Sequence, residues 1–310
     1  MTAAAPNLLA LLAEPFGYAY MRHAMLASAL AGGVCAFLSC FLMLRGWSLM
    51  GDAISHAIVP GVAGAHLLGL PFALGAFFAA LLAAAAMLAL GAHTRLKQDV
   101  VIGVTFSTFF GLGLFMVSLA PAGISVQTIA LGNVLAIAPG DLAQLVLISA
   151  VTLLALLLKW RDWLAVFFDE GHARSVGLPV RALKAGFFAM LAACAVAAMQ
   201  AVGAFLVIAL IITPGATAWL LSDRFSHIAL IATAIGTLSG WAGAWGSYFL
   251  DGATGALIVL LQAALFALAF LFAPRHGLLA ARRRARAAAQ TSETPGTPET
   301  PETPETPETP

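Results

Sequence analysis

The sequence predicts an all-α, polytopic integral membrane protein with about eight to ten transmembrane helices. Of its 310 residues, 61% are hydrophobic and only 9% are charged, whereas a soluble domain has about a quarter of its residues charged. The apolar residues form runs long enough to cross roughly 30 Å of hydrocarbon, which takes about 20 residues in a helix. These runs are much longer than barrel strands and lack their alternation, so helices are the predicted spanning elements.

Nine apolar runs predict the spans in chain order. They are 17–44, 48–69, 72–92, 100–119, 142–158, 185–200, 202–221, 227–249 and 253–273. A shorter run at 125–138, with Gly132 and Asn133 near its end, suits a re-entrant or tilted helix better than a plain span. We therefore expect one transmembrane domain over residues 16–274.

The two ends of the chain differ from this body. Residues 1–15 are apolar but have neither a basic region nor an A-x-A site, so we expect an interfacial segment and no cleaved signal peptide. Residues 275–290 are predicted to be a basic cytoplasmic segment. Residues 291–310 repeat Pro-Glu-Thr, and proline at every third position forbids a helix, so we expect a disordered tail there.

Basic residues orient the spans, because short cytoplasmic loops are enriched in lysine and arginine. The basic residues of 159–184 and 275–286 predict that both stretches are cytoplasmic. Two alternatives remain upstream. If Arg45 and 95–97 are also inside, 125–138 does not cross, the N-terminus is outside and there are nine spans. If 125–138 crosses, the N-terminus is inside and there are ten spans. Charge counting favours the first alternative.

Glycines recur within the predicted spans and indicate close helix packing. They include Gly32, Gly33, Gly61, Gly64, Gly111, Gly113, Gly236, Gly240 and Gly243. This pattern is a statement about packing and points to no substrate. The three cysteines, Cys35, Cys40 and Cys194, lie in apolar runs without metal-type spacing, so we expect them to be buried packing residues.

An aspartate and a histidine, Asp52 and His56, lie within an otherwise apolar span. An ionised carboxylate in the bilayer costs at least about 2.5 kcal/mol, so such a residue faces the protein interior and has a partner. Residues four apart share one face of a helix, so both side chains can contact one ion or each other. Carboxylate oxygen and imidazole nitrogen suit manganese, iron(II) and zinc, and the absence of nearby thiolates argues against copper(I).

Two alternatives compete with a metal site at this pair. The residues could form a buried ion pair that clamps the helix, or they could belong to a proton relay. Pro60 and Gly61 follow on the same helix and are expected to interrupt it, which frees carbonyl groups to face a cavity. His66 is a weaker metal candidate, with an ordinary interfacial histidine as the alternative.

A second informative stretch, 167–177, is a short cytoplasmic loop that is acidic first and basic later. This order suits a short helix that ends at Gly177, anchored by Phe167 and Phe168. Such a helix could dock into a groove on a cytosolic partner, or it could be an ordinary connection. Asp251 lies between the last two spans, where a turn-capping role is favoured over a weak role in metal entry.

Several motifs are missing from the chain. No Gly-Lys dipeptide occurs, so there is no Walker A loop for ATP phosphates. Neither a His-Glu-x-x-His nor a Gly-x-Ser-x-Gly motif is present. We therefore expect no enzymatic activity, no permanently bound cofactor and no nucleic-acid partner, and any ATPase that drives the protein must be a separate subunit.

Residues 44–61, LRGWSLMGDAISHAIVPG, resemble the membrane permease subunits of ATP-binding-cassette (ABC) importers for manganese, iron and zinc. Softer matches follow in chain order, and the resemblance as a whole covers about residue 14 to residue 274. They are Gly132-Asn133, the 168–177 loop, Val202-Gly203, residues 213–216 and residues 251–258. The Ser55-His56 and Pro60-Gly61 pairs are closer to manganese and iron members than to zinc members. The Pro-Glu-Thr tail departs from the family pattern.

The resemblance implies a multi-pass protein of the bacterial inner membrane that acts as a homodimer. It implies two further partners, a cytosolic ATP-binding-cassette ATPase and an extracytoplasmic metal-binding protein. Asp52 and His56 match the positions where the family coordinates the transported ion. The 168–177 loop, with Asp169, Glu170, Ala173 and Gly177, matches the helix that couples to the ATPase.

Two other classes of protein are alternatives to this one. A proton- or sodium-coupled secondary transporter needs no ATPase and often has an internal repeat, which we do not find in the sequence. A scaffolding membrane protein would not account for a carboxylate and an imidazole on one helical face within the bilayer.

Overall fold

The computed structural model describes residues 8–119 and 137–273, together with residues 277, 278 and 280. Within this part of the chain, every regular element is an α-helix. In order they are α1 Leu8–Gly17, α2 Ala19–Leu44, α3 Ser48–Ala57, α4 Val59–Leu68, α5 Phe72–His93, α6 Gln98–Leu119, α7 Pro139–Phe168, α8 Glu170–Ser175, α9 Val180–Val202, α10 Ala204–Leu221, α11 Phe225–Leu250 and α12 Thr254–Phe272.

The predicted fold class, an all-α polytopic membrane protein, is confirmed. Eight of these helices are long and apolar enough to cross a membrane. The predicted span at 48–69 is a ninth crossing of a different kind, because it consists of the two ten-residue helices α3 and α4. The helix is interrupted at Ile58, two residues before Pro60. Proline lacks the backbone N–H and its ring obstructs the preceding turn, so the interruption falls just N-terminal to it.

The helix ends define two faces of the bundle. Arg45 at the end of α2, Gln98 at the start of α6 and Lys184 near the start of α9 line one cavity and therefore share a face. His23 near the start of α2 and Pro139 at the start of α7 line a groove at the opposite face. Because α6 leads away from the first face and α7 begins at the second, both helix ends that flank 120–136 lie at the same face.

This arrangement agrees with the nine-span alternative, in which 125–138 does not cross. Residues 120–136 lie outside the described residues, and most of the predicted 125–138 helix lies with them. The same holds for the predicted tail at 291–310 and for nearly all of the basic segment at 275–290. By the positive-inside rule we expect the face with the basic residues to be the cytoplasmic one, and we call it the cytoplasmic face.

Helices α2 and α9 form the centre of the bundle. In the most apolar stretch of each helix, 78% of the residues of α2 and 67% of those of α9 are buried within the protein, but only 17% of those of α12. Helix α11 lies against α2 at a glycine-to-glycine contact, where a β-carbon on either Gly32 or Gly236 would overlap the backbone of the other helix. Glycine on both sides lets the two backbones approach more closely than larger residues would.

Helix α7 is longer than its predicted span at 142–158. Its backbone is non-helical at Lys159, with φ −120° and ψ 20°, so the helix kinks there and continues to Phe168. Beyond the kink, the buried Trp163 donates from Nε1 to the carbonyl oxygen of Leu183 at 3.0 Å. This hydrogen bond ties the cytoplasmic end of α7 to α9.

Candidate functional site

Helix α3 brings Asp52 and His56 together as their spacing predicts. Nε2 of His56 lies 3.4 Å from Oδ1 of Asp52, one helical turn away. The side chain of Asp52 is 34% exposed and that of His56 is 25% exposed, so the chain itself leaves part of the pair uncovered. A partly uncovered carboxylate in an apolar span is costly unless something else covers or binds it.

Two phenylalanines of α6 hold the imidazole of His56. The ring centroids of Phe106 and Phe110 lie 5.3 Å and 5.5 Å from that of His56, both in edge contacts. The two phenylalanines also stack on each other at 5.6 Å. Neither phenylalanine was predicted as part of the site. Their four-residue spacing on a predicted span places them on one helical face, but it does not indicate which helix that face contacts.

Close contacts on both sides of the helix interruption position the pair. A β-carbon on Gly51 would overlap the side chain of Ile211 on α10, so glycine lets α10 reach α3 next to Asp52. On α6, a β-carbon on Gly113 would lie 2.8 Å from the ring of Pro60. These contacts anchor α3 and the start of α4 against two neighbouring helices.

The geometry of the pair suits two adjacent ligands of one metal ion. Two ligand atoms that each lie about 2.1 Å from a metal ion, in directions at right angles to each other, are about 3.0 Å apart. The observed distance between Nε2 of His56 and Oδ1 of Asp52, 3.4 Å, is close to this value. Within residues 8–119 and 137–273, no third histidine, cysteine, aspartate or glutamate joins them as a metal-binding group. A full coordination sphere therefore needs ligands from water, from backbone carbonyls or from another chain.

The two weaker metal candidates lie elsewhere. His66 is exposed in the last turn of α4, with its ring 6.0 Å from that of Phe72. Asp251 ends α11 in the left-handed conformation at φ 47°, and its backbone N–H donates to the carbonyl of Ser247. The structure brings neither side chain to the Asp52–His56 pair. A helix-ending position fits the turn-capping alternative for Asp251.

The predicted short helix of the 168–177 loop is α8. Asp169 caps it, with Oδ1 accepting from the backbone N–H groups of Gly171 at 2.8 Å and His172 at 3.1 Å. Gly177 ends it with φ 83°, a conformation that favours glycine. Ala173 is completely buried and attaches α8 to the bundle. Of the predicted pair of anchoring phenylalanines, Phe167 is buried but Phe168 is 78% exposed.

Glu170 joins α8 to two membrane helices. Its carboxylate accepts hydrogen bonds from Arg45 at the end of α2, from Arg174 within α8 and from Lys184 on α9. Partial burial acts to raise the pKa of Glu170, but the hydrogen bond from Lys184 and the three positive charges outweigh it and lower that pKa. The sequence singled out Glu170 but contained no sign of these partners, the most distant being Arg45.

Known proteins resemble this chain over most of its length. The sequence profile of the ABC 3 transport family matches residues 17–273. The chain is 56% identical over 279 residues to the chelated iron transport system membrane protein YfeC of Yersinia pestis, covering 90% of this chain and 95% of that protein. It is 42% identical over 276 residues to the manganese transport system membrane protein MntB of Synechocystis, covering 89% and 90%.

A solved structure has the same fold at substantial sequence identity. PsaBC from Streptococcus pneumoniae, in complex with Fab, superposes with a TM-score of 0.78 and 33% identity, and the match covers 89% of this chain and all of that chain. The profile match alone spans well over half of the residues. From its sequence and its fold together, the chain belongs to the ABC 3 transport family.

Proposed function

We propose that this chain is the permease subunit of an ABC importer that moves a divalent metal ion, manganese or iron(II), across the bacterial inner membrane. The observation that carries the proposal is the Asp52–His56 pair, which combines two metal-ligand types 3.4 Å apart on a membrane helix. The relatives described above are named for iron or manganese transport, which is why zinc ranks behind these two metals.

The partial exposure of the pair favours a metal site over a structural clamp. A clamp needs its two charged groups covered by the same chain, whereas about a third of the Asp52 side chain remains uncovered. Few and mixed ligands also suit transport, because a transit site must release the ion that it binds. Membership of the ABC 3 transport family argues against the alternative of a proton- or sodium-coupled secondary transporter.

A second copy of the chain would cover the pair and complete the ligand set. On α6, Gly103, Ser107 and Gly111 follow each other at four-residue spacing and are all exposed. Small residues at this spacing allow a second helix to approach closely. They lie on the helix whose Phe106 and Phe110 hold His56. In the proposed homodimer, one aspartate and one histidine from each half would hold the ion.

Helix α8 would transmit the action of a separate ATPase. Ala173 and the ion pairs of Glu170 attach α8 firmly to the bundle, so a force on α8 reaches α2 and α9. Phe168 and Val176 are 78% and 64% exposed and provide apolar contacts on the cytoplasmic face. In this proposal the chain itself is a transport protein and no enzyme, and an extracytoplasmic binding protein delivers the metal to the opposite face.

Metal uptake in cells tests the site. A strain without its own manganese and iron uptake would express this chain with its ATPase and binding protein, and uptake of radiolabelled manganese and iron(II) would be measured. Asp52→Asn and His56→Gln should each abolish uptake while membrane levels and ATPase assembly stay normal. His66→Gln is the matched control and should retain uptake, because that residue lies apart from the pair.

Uptake at the wild-type rate in either Asp52→Asn or His56→Gln would refute the site. The energy source is tested in proteoliposomes, where uptake should require ATP and persist when an uncoupler abolishes the proton gradient. Uptake that follows the proton or sodium gradient without ATP would favour the secondary transporter.

The ATPase contact has its own test. Phe168→Ala should reduce co-purification of the ATPase, whereas Leu158→Ala, which shortens an equally exposed side chain within the span of α7, should leave it unchanged. Equal co-purification with both variants would contradict the role proposed for α8.

A further inference from the structure

The three tyrosines of the chain lie together at the face opposite the cytoplasmic one, where α2 begins and α11 ends. With three further rings of α11 they form a continuous aromatic ribbon, in which the centroids of successive rings are 4.9 to 6.4 Å apart. In order, its members are Tyr20, Tyr18, Tyr248, Phe249, Trp245 and Trp241. Much of this ribbon is open to a ligand, since Tyr18, Tyr20 and Trp241 are 43%, 44% and 40% exposed.

The ribbon extends from the end of α11 into the depth of the membrane. Trp241 lies nine residues before the last residue of the helix, Leu250, which is about 14 Å along the helix axis. Tyrosine and tryptophan rings at the ends of membrane helices lie at the level of the lipid headgroups. A lipid can contact the whole ribbon, whereas a soluble protein reaches only its outer end.

Helix α1 is attached to the ribbon by a hydrogen bond. Nε1 of Trp245 donates to the carbonyl oxygen of Leu12 at 3.2 Å, which holds α1 against α11. Glu14 follows on α1, and both its carboxylate and the hydroxyl of Tyr18 lie beside the hydroxyl of Tyr248. A carboxylate is therefore held next to exposed aromatic rings.

Two charged side chains at this junction have no ion-pair partner among the residues that the structure describes. They are Glu14 on α1 and Arg22 on α2, and both are exposed. Arg22 donates from Nη1 to the carbonyl oxygen of Phe16, near the end of α1, at 3.1 Å. This bond uses one of its five N–H donors, so the others are available to an acceptor. The junction thus offers one negative and one positive group to the same ligand.

We propose that the aromatic ribbon, with Glu14 and Arg22, binds a zwitterionic phospholipid whose headgroup carries a primary ammonium, as in phosphatidylethanolamine. The ammonium donates to Glu14 and lies against a tyrosine ring, to which a cation is attracted. The phosphate accepts from Arg22, and the acyl chains follow Trp241 into the bilayer. Asp251 ends the same helix three residues after Tyr248, and its negative charge disfavours an anionic headgroup.

The test uses the purified full chain after removal of bound lipid in detergent. Phosphatidylethanolamine, phosphatidylcholine and phosphatidylglycerol with the same acyl chains would be titrated in mixed micelles, with the thermal unfolding midpoint as readout. Phosphatidylethanolamine should bind about tenfold more tightly than phosphatidylcholine, whose ammonium has no N–H donor. Phosphatidylglycerol should bind no more tightly than phosphatidylcholine. Equal binding of phosphatidylethanolamine and phosphatidylcholine, or tighter binding of phosphatidylglycerol, would overturn the proposal.

Three variants test whether the lipid occupies this site. Glu14→Gln keeps the size of the side chain and should abolish the preference for phosphatidylethanolamine over phosphatidylcholine. Arg22→Gln should weaken the binding of both lipids to a similar extent, because both carry the phosphate. The matched control is Asp99→Asn, which removes an exposed carboxylate at the start of α6 on the cytoplasmic face and should change neither affinity. A preference that survives Glu14→Gln, or that Asp99→Asn abolishes as well, would refute the assignment.

A soluble protein is the competing occupant of this surface. If the extracytoplasmic binding protein docked here, no lipid would give a saturable change in the midpoint, and Glu14→Gln would instead weaken capture of that binding protein by the chain. This result would overturn the lipid site. Saturable binding of phosphatidylethanolamine together with unchanged capture by Glu14→Gln supports it.

Discussion

The contact between Gly32 on α2 and Gly236 on α11 leads to a quantitative prediction about stability. A β-carbon on Gly236 would lie 2.7 Å from the β-carbon of Ala36 and 2.9 Å from the carbonyl carbon of Gly32. Comfortable carbon–carbon contacts begin at about 3.5 Å. The substitution Gly236→Ala therefore forces the two helices apart by most of an ångström at the centre of the bundle.

The cost follows from this displacement. A gap of about 0.5–1 Å forfeits a quarter to a half of the dispersion energy of the contacts that it opens, and overpacking costs about 1–3 kcal/mol. Alanine regains about 0.5–1 kcal/mol of helix stability over glycine, which leaves a net loss of about 1–2 kcal/mol. At about 2–4 °C per kcal/mol, we expect the unfolding midpoint to fall by about 2–8 °C.

The protein contains its own reporter for this measurement. Cys35, Cys40 and Cys194 are free and buried, so a thiol-reactive fluorophore labels them when the detergent-purified protein unfolds. The control is Gly186→Ala in α9, where a β-carbon meets nothing within 4 Å, and its midpoint should stay the same or rise. A midpoint for Gly236→Ala at or above that of Gly186→Ala would refute the reasoning.

Three further predictions use the same assay. Trp163→Phe removes the hydrogen bond from the indole N–H to the carbonyl of Leu183 and should cost about 0.5–1.5 kcal/mol; an unchanged midpoint would mean that the hydrogen bond contributes nothing. Glu170→Gln should lower the midpoint at pH 7. The pKa of Glu170 is lowered in the folded protein, so the stabilisation that the ionised carboxylate provides is complete above the unfolded-state pKa of about 4.3. This stabilisation is lost as the pH falls below that value, so the difference in midpoint between wild type and Glu170→Gln should shrink at low pH. A difference that is constant between pH 7 and pH 3.5 would argue against this. Gly203→Ala places a β-carbon at φ 87° and ψ 156°, a conformation that is almost exclusive to glycine, and should cost about 1–3 kcal/mol, a result that equal midpoints would contradict.

Much of the architecture depends on local properties that a sequence displays directly. The apolar runs locate the membrane helices, because spanning the bilayer requires a minimum length of apolar helix. Asp52 and His56 share a face because residues four apart always do so on a helix. Asp169 and Gly177 bound α8 through a capping hydrogen bond and a left-handed turn, and both depend on neighbouring residues only.

Other features arise only when distant segments pack together. Gly32 and Gly236 meet at a helix contact, whereas Gly111 faces open space within the described chain, and composition alone does not separate the two cases. Phe167 is buried while its neighbour Phe168 is exposed, because successive helical residues point about 100° apart and packing decides which one is covered.

The features of the functional site fall into the same two groups, those that follow from the local sequence and those that follow from packing. The sequence by itself determined that a carboxylate and an imidazole share one face of a membrane helix that Pro60 interrupts. Only the tertiary structure decided that Phe106 and Phe110 hold the imidazole. The same is true of the link from Glu170 to α2 and α9. The physical reason is that helical periodicity is a property of the local backbone, whereas contacts between helices depend on how whole surfaces fit together.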